Sequence, residues 1–367
     1  MQNKDKRRVI LVSNMYPSKH SPAHGTFVKN SAQQLIANGF ELKKVVINRL
    51  YRSKFAKLAA YLSFIARGVW VLLTSRSSDI VYVHFASFSG IPVILASAFK
   101  KLTVITNVHG GDVLDCPSLA KSTTLLTRFL SLKTLKRSHT VIVPSHFARQ
   151  WMIEHFEIDS NRLFVSPSRG IELDLFKPDG NQKRGADKPV FGYVGRLDPG
   201  KGLPCLLDAF AQLLRQHGEA ELHIVGSGKL KTDLNRQVSR LNMTTNVHFH
   251  GVFEQQQLPP LYNQFDYLVF PTELTETLGL VGLESMATGV PVIAPFEAGI
   301  TAYLCHNSNG LSFVAADEHS LCQALVKAVD MPAQNYQSLC AGALKTAARY
   351  DSKKVGQALG ELFRALP

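Results

Sequence analysis

Short β-branched apolar runs alternate with helical patterns along the whole chain, and the alternation breaks only once. In the first half the runs are Arg8–Ser13, Lys44–Asn48, Asp79–Phe85, Leu102–Asn107, Thr140–Pro144 and Arg162–Ser166. In the second half they are Pro189–Gly195, Glu221–Val225, Val247–His250, Tyr267–Phe270, Pro291–Ala294 and Leu311–Val314. Most are nearly continuous apolar stretches, the pattern of strands buried on both faces. Strand–helix alternation of this kind builds parallel sheets with right-handed crossovers, so the runs predict an α/β chain of two Rossmann-like domains. The break, Phe176–Pro189, is polar, rich in Gly and Pro, and without apolar periodicity. The expected boundaries are 1–178 and 179–350, with a helix over 351–367 packing back toward the first domain. Ligands of such sheets bind beyond the carboxyl ends of the strands. For two facing domains the expected site is the cleft between them.

Charge is divided unevenly between the halves. Of 41 Lys+Arg and 28 Asp+Glu in 367 residues, residues 1–180 hold 25 and 11 (net +14), leaving 16 and 17 (net −1) for the rest. A basic half attracts something anionic: nucleic acid, a membrane surface or phosphorylated substrates. Nucleic acid is disfavoured, because the chain lacks helix-turn-helix, finger, RRM or KH patterns. Arg49–Trp70 interleaves cations with aromatics, which fits an interfacial helix on anionic lipid and equally a Rossmann helix with a basic outer face. The apolar stretch Leu58–Leu73 contains Arg67 and falls short of the roughly 20 residues needed to span a bilayer, so no transmembrane helix is predicted. Met1–Arg8 leads straight into Val9–Val12, too short for a signal segment, which predicts a cytoplasmic or peripheral inner-membrane location. The five cysteines, Cys116, Cys205, Cys305, Cys322 and Cys340, lack metal-ligand spacing and read as small buried hydrophobes in a reducing compartment.

The segment richest in chemistry runs from Asp266 to Pro291. A strand ends at Pro271, a polar loop carries Glu276, and a helix follows from about Gly279 to Ala287 with Glu284 inside it. Gly289 is a plausible helix stop. The helix start at Gly279-Leu280 offers backbone N–H groups and the positive dipole end, a ready anion site. A carboxylate on each side of such a cradle suits a nucleotide sugar, which presents ribose, diphosphate and hexose in that order. After the second domain's first strand, Gly195-Arg196-Leu-Asp-Pro-Gly-Lys201-Gly202 puts two cations in one loop, a planar fork and a mobile point charge for a diphosphate. Gly226 follows another strand as a weaker phosphate-loop candidate. In the first half, His109-Gly110 follows a strand where catalytic residues of such sheets sit, and Gly25 opens a helix after a long loop.

Together these segments resemble the retaining GT-B glycosyltransferases of glycosyltransferase family 4, over nearly the whole chain. The resemblance rests on Glu276…Glu284 with Gly279 between and Ala287-x-Gly289-x-Pro291 after, on Gly195-Arg196…Lys201-Gly202, and on His109-Gly110. It implies that Glu284 holds the ribose diol and Glu276 a hydroxyl of the donor sugar. Arg196 and Lys201 would neutralise the diphosphate, His109 would sit beside the anomeric centre, and Gly25 near the donor phosphates. Gly110, Gly195, Gly226, Gly279 and Leu280 complete the implied donor-binding set. The expected reaction is retaining, metal-independent hexose transfer from a nucleotide-diphosphate sugar, with no other cofactor. The expected acceptor is a glycan or polyprenyl-diphosphate-linked acceptor in surface polysaccharide (lipopolysaccharide, capsule or exopolysaccharide) synthesis, and an anionic membrane surface is a further expected partner. Two other readings stay open: a non-catalytic nucleotide-sugar binding protein and a GT-B nucleotide-sugar epimerase. The chain departs from the family pattern at His24-Gly25, at Arg169-Gly170-Ile171-Glu172 and at Ala298-Gly299-Ile-Thr-Ala302, marking a divergent subfamily.

Overall fold

The computed structural model describes residues 7–19, 21, 24–51, 53–114, 121–180 and 188–366. The chain forms two compact units, residues 1–170 with 353–367, and residues 171–352. In unit 1, chain order runs β1 (Arg8–Ser13), α1 (Thr26–Ala37), β2 (Glu41–Val46), α2 (Lys54–Leu73), β3 (Ile80–His84), α3 (Ile91–Ala96), β4 (Thr103–Asn107), α4 (Lys121–Arg137), β5 (Thr140–Val143), α5 (His146–Phe156) and β6 (Leu163–Val165). The strands pair in parallel in the order β2-β1-β3-β4-β5-β6. Successive side chains of a strand point to opposite faces, and β1 shows what this requires. Val9 and Leu11 pack with Val28 and Leu35 of α1, while Ile10 and Val12 pack with Phe64 and Val71 of α2 and Val93 of α3. Both faces are covered, which is why the strand reads as an unbroken apolar run.

Unit 2 repeats the plan: β7 (Val190–Val194), α6 (Leu203–His217), β8 (Glu221–Val225), α7 (Lys231–Arg240), β9 (Val247–Gly251), α8 (Leu258–Tyr262), β10 (Tyr267–Val269), α9 (Leu280–Ala287), β11 (Val292–Pro295), β12 (Gly310–Phe313), α10 (Glu318–Val329) and α11 (Ala333–Ala347). Its order is β12-β11-β10-β7-β8-β9. The order reverses between β7 and β10, and in sheets of this kind ligands bind beyond the carboxyl ends of the strands at such a reversal. A last helix, α12 (Ser352–Ala365), belongs almost wholly to unit 1. Its Leu359 and Phe363 are buried in the cluster of Val9 and Tyr82, with the Phe363 ring 5.0 Å from that of Tyr82.

Several expectations need correction. The boundary lies at Gly170/Ile171 and not at 178/179, because Ile171 and Phe176 are fully buried in the core of unit 2 and Ile171 bridges to Asp351. The described ends of the polar tract, residues 176–180 and 188–189, therefore fall within unit 2, and residues 181–187 lie outside the described residues. β2 begins at Glu41 and not Lys44, since it is an edge strand whose first residues are polar and largely accessible. Cys322 is buried as expected, whereas Cys305 is exposed and Cys205 and Cys340 are partly accessible; Cys116 lies outside the described residues.

The basic–aromatic segment forms α2, which at 20 residues is long and apolar enough to cross a membrane by length and composition alone. The helix exceeds the apolar run Leu58–Leu73 by one turn, Lys54–Lys57, which brings in two more cations. Phe64, Gly68, Val71 and Leu72 nonetheless bury its inner face in unit 1, and Gly68 lets it close on α3: a Cβ there would lie 2.7 Å from Pro92 Cβ. The outer face leaves Phe55 (87% exposed), Leu58, Leu62, Trp70 and Leu73 accessible, at the spacing of one helical stripe.

Candidate active site

In unit 2 the loops after β7 and β10 meet at the reversal point. Lys201 Nζ lies 2.6 Å from Glu276 Oε1, and Thr272 Oγ1 donates to the same oxygen at 3.3 Å. Both charged side chains are about four-fifths buried, so the pair works in a partly desolvated setting where Coulomb interactions exceed their value in water. Arg196, by contrast, is 74% exposed and held by Asp198, Nη1 to Oδ2 at 2.8 Å. The sequence reading placed both cations on a diphosphate, whereas the structure pairs each with a carboxylate. The backbone of Glu276 is fixed from a third direction, its carbonyl accepting the Gly299 N–H at 2.8 Å.

Three residues beyond Glu276, Gly279 caps α9 in the left-handed region at φ 82°, and Leu280 begins the helix. A side chain at Gly279 would meet the Phe270 ring at 2.7 Å. The first N–H groups of a helix have no partner within it, so this turn presents donors and the positive end of the dipole next to Glu276. Glu284 sits inside α9, buried, and accepts a hydrogen bond from the Tyr262 hydroxyl at 3.2 Å. The helix stops at Thr288, with Gly289 following at φ 79°.

Gly195 and Gly226 form one backbone-on-backbone contact. Gly195 N–H donates to Val225 O at 3.0 Å, and a Cβ on Gly226, which has φ 139°, would stand 1.8 Å from Gly195 O. Gly226 therefore lets the basic loop lie against the loop after β8. That gives it a structural reason whether or not it touches a ligand.

In unit 1, β3 and β4 end side by side, with His84 opposite Asn107. His109 follows β4, and its Nε2 is 2.9 Å from Nδ1 of His84. The rings stack at 5.2 Å, and Phe27 and Phe85 pack on His109 at 4.5 and 4.8 Å. Burial among these rings pushes the pKa of His109 down to about 3 and that of His84 well below its usual value, so both are neutral at physiological pH. His84 Nε2 is buried without a hydrogen-bond partner. A proton there would be an orphaned donor, so we assign the His84 proton to Nδ1, donated to His109 Nε2, and the His109 proton to Nδ1. Asp112 fixes the loop, accepting from the His109 N–H at 2.9 Å and the Ala86 N–H at 2.7 Å. Gly110 has φ 92°; Gly25 has φ 80° at the start of α1 and lies against the Met15 backbone. Sequence reasoning missed His84. The signal for it was a histidine at the carboxyl end of the strand beside the one leading to His109.

Residues 24–175 match the Glycosyltransferase Family 4 model and residues 177–343 the Glycosyl transferases group 1 model. Among curated relatives, the chain is 25% identical over 254 residues to a GDP-mannose-dependent monoacylated alpha-(1-6)-phosphatidylinositol monomannoside mannosyltransferase of Corynebacterium glutamicum, covering 65% of this chain and 66% of that protein. It spans between 32% and 66% of the length of three such relatives. Among solved structures it resembles sucrose-phosphate synthase from Thermosynechococcus elongatus (TM-score 0.80, 20% identity, 98% of both chains). It also resembles Anabaena HepE in complex with UDP-glucose (TM-score 0.77, 19% identity, 98% and 100% of the chains), which shows the same GT-B fold of two Rossmann-like domains. The two matched regions are separated by residue 176 alone, and by them the chain belongs to the glycosyltransferases of the family 4 type.

Proposed function

We propose that the protein is a retaining glycosyltransferase that moves a hexose-type sugar from a nucleotide-diphosphate sugar to a hydroxyl of a glycan or lipid-linked oligosaccharide in surface polysaccharide synthesis. The observation that carries this reading is the convergence of Lys201, Glu276 and the start of α9 at the strand-order reversal of unit 2. That arrangement offers fixed positive charge where a leaving diphosphate gains negative charge, with a carboxylate alongside for a sugar hydroxyl. The relatives support it: one is named as GDP-mannose-dependent, and HepE is described in complex with UDP-glucose.

In this reading Glu284 accepts from the ribose diol, its buried carboxylate oriented by Tyr262. Arg196, Lys201 and the N–H groups at Gly279-Leu280 receive the diphosphate and stand in for a divalent cation. Glu276 positions the donor sugar and does not attack it. The leaving phosphate oxygen takes the proton of the acceptor hydroxyl as the new glycosidic bond forms on the same face. To unit 1 the reading assigns the acceptor, with neutral His109 as a hydrogen-bonding partner for a sugar hydroxyl.

A panel of nucleotide sugars, assayed for thermal stabilisation and then for transfer with and without EDTA, tests the reading directly. Stabilisation by at least one donor and transfer that persists in EDTA are expected; donor epimerised without acceptor, or activity restored only by Mg²⁺, overturns it. The roles of the two glutamates separate by titration calorimetry. Glu284→Ala is expected to weaken binding of the free nucleoside diphosphate, since each lost bond to a charged acceptor is worth about 1.5–3 kcal/mol. Glu276→Ala should spare that binding and lower turnover. Equal loss of nucleotide affinity in both refutes the division.

The reading also places unit 1 against anionic lipid. The support is the stripe Phe55, Leu58, Leu62, Trp70 and Leu73 on α2, flanked by Lys54 and Lys57, with Lys43 5.9 Å from the Trp70 ring. Arg52, part of the same basic segment, lies outside the described residues. Co-sedimentation is expected with anionic vesicles and not with neutral ones, falling as salt rises, because several modest attractions are screened together. A Phe55→Ser/Leu62→Ser/Trp70→Ser variant should lose most vesicle binding while keeping nucleotide affinity. Binding indifferent to lipid charge removes the membrane from the reading.

A further inference from the structure

Among the described residues, one group of histidine, cysteine and carboxylate side chains converges as metal ligands do, and it lies away from the basic loop. Glu221 and His223 stand two apart on β8, and His248 and His250 two apart on β9, so each pair projects to one face of its strand. The register His223↔His248 sets the pairs side by side. The opposite face carries Leu222, Ile224 and Val247 into the core. His223 Nε2 is 3.2 Å from Glu221 Oε2, His248 Nε2 is 3.9 Å from the same oxygen, and all three ligand atoms lie within 4.8 Å of one another. Two ligands of a tetrahedral zinc ion, each at 2.0–2.1 Å, stand about 3.3 Å apart. The Glu221–His223 pair already has that spacing, and His248 reaches it by a small side-chain adjustment. The other ring nitrogen of His223, Nδ1, is 3.0 Å from His250 Nε2. A ligating histidine held through its second nitrogen is the usual outer arrangement of a metal site.

We propose that Glu221, His223 and His248 bind one divalent transition-metal ion of the zinc class, with His250 as the positioning residue for the His223 ring. Two imidazoles and one carboxylate suit zinc and its neighbours, not Mg²⁺ or Ca²⁺, which take oxygen ligands. All three ligands keep accessible surface, so an ion has an entry path and a water completes its coordination. Glu221 opens β8, whereas the loop against Gly195 begins at Gly226; five residues of strand put them about 16 Å apart. The ion would therefore tie edge strand β9 to β8 and take no part in sugar transfer.

Metal-stripped protein titrated with Co²⁺, followed by visible d–d absorption, and then with Zn²⁺ by calorimetry, tests the site. One equivalent is expected, with a Tm rise of roughly 5–10 °C when Zn²⁺ is a hundredfold above its Kd. Glu221→Gln/His248→Asn should abolish both signals while leaving circular dichroism and nucleotide affinity unchanged. His250→Ala should weaken binding about 10–100-fold without changing the stoichiometry. If the double variant does not fold, Glu221→Gln alone must still lose at least tenfold in affinity. No saturable binding at one equivalent, or binding unchanged in these variants, overturns the proposal. Nucleotide-sugar binding by the metal-stripped wild type is expected to persist, so failure here leaves the proposed transfer activity standing.

Discussion

Lys201→Ala is expected to lower turnover by about 10²–10³, the scale for losing one preorganised charge at a reacting centre. The effect has two sources. In the proposed reaction the leaving diphosphate would lose a cation in a partly desolvated loop. Glu276, which now shares a proton-rich partner at 2.6 Å, is left as an uncompensated carboxylate beside incoming phosphate. The second source predicts non-additivity. Lys201→Ala/Glu276→Gln should be less impaired than the product of its single variants, because the repulsion introduced by the first change is removed by the second. Arg196→Ala should also cost turnover, but its guanidinium is exposed and held by Asp198, so its loss leaves no buried charge behind. Steady-state kinetics at saturating donor, with nucleoside-diphosphate affinity measured separately, distinguish the cases. A loss below tenfold for Lys201→Ala removes it from the leaving-group role.

The second large effect is on stability. Gly226→Ala is expected to cost about 4 kcal/mol and to lower the Tm of unit 2 by roughly 8–16 °C. Its Cβ would stand 1.8 Å from Gly195 O, and both sides of that contact are backbone, so no rotamer change relieves it. Gly218→Ala is the control. It shares a positive φ, 78°, but has nothing within 4 Å of the added carbon, so it should cost only the backbone strain of about 1–3 kcal/mol. The difference between the two isolates the clash. Because Gly226 braces the loop carrying Arg196 and Lys201, nucleotide affinity should fall in Gly226→Ala and hold in Gly218→Ala. Equal melting temperatures for the two variants mean that the loops are not in backbone contact.

Where side chains are buried on both faces of a sheet, as in β1, β3, β10 and β11, the sequence announces the strand, and the twelve strands of the described residues each fall on an expected run. The start of β2 was not, because an edge strand satisfies only one neighbour and tolerates Glu41, Lys43 and Lys44. The domain boundary was misread by the same logic in reverse. The polar tract is conspicuous, but Ile171 and Phe176 before it are the residues that bury themselves in unit 2. Glu276 and Glu284 were readable from one local segment, whereas the contact between Lys201 and Glu276 joins residues 75 apart and is written in no local pattern. His84 was hidden in an apolar run that accounts for itself as core. The Glu-x-His and His-x-His alternations on β8 and β9 were visible in the letters, but a search for metal ligands based on cysteine spacing passes over strands, where the period is two.

The position of α12 in unit 1 has a consequence for the order in which a nascent chain acquires structure. Unit 2 is one unbroken stretch, 171–352, and has every strand it needs once that stretch has left the ribosome. Unit 1 is discontinuous. Its first sheet, made early, has the face of Val9, Tyr82 and Phe40 covered by α1 alone until Leu359 and Phe363 arrive some 350 residues after Val9. Domains ordinarily mature from the N-terminus onward during synthesis; here the first to be made is the last to be sealed. Over that interval the part of this face that awaits α12 is open to chaperones and to aggregation.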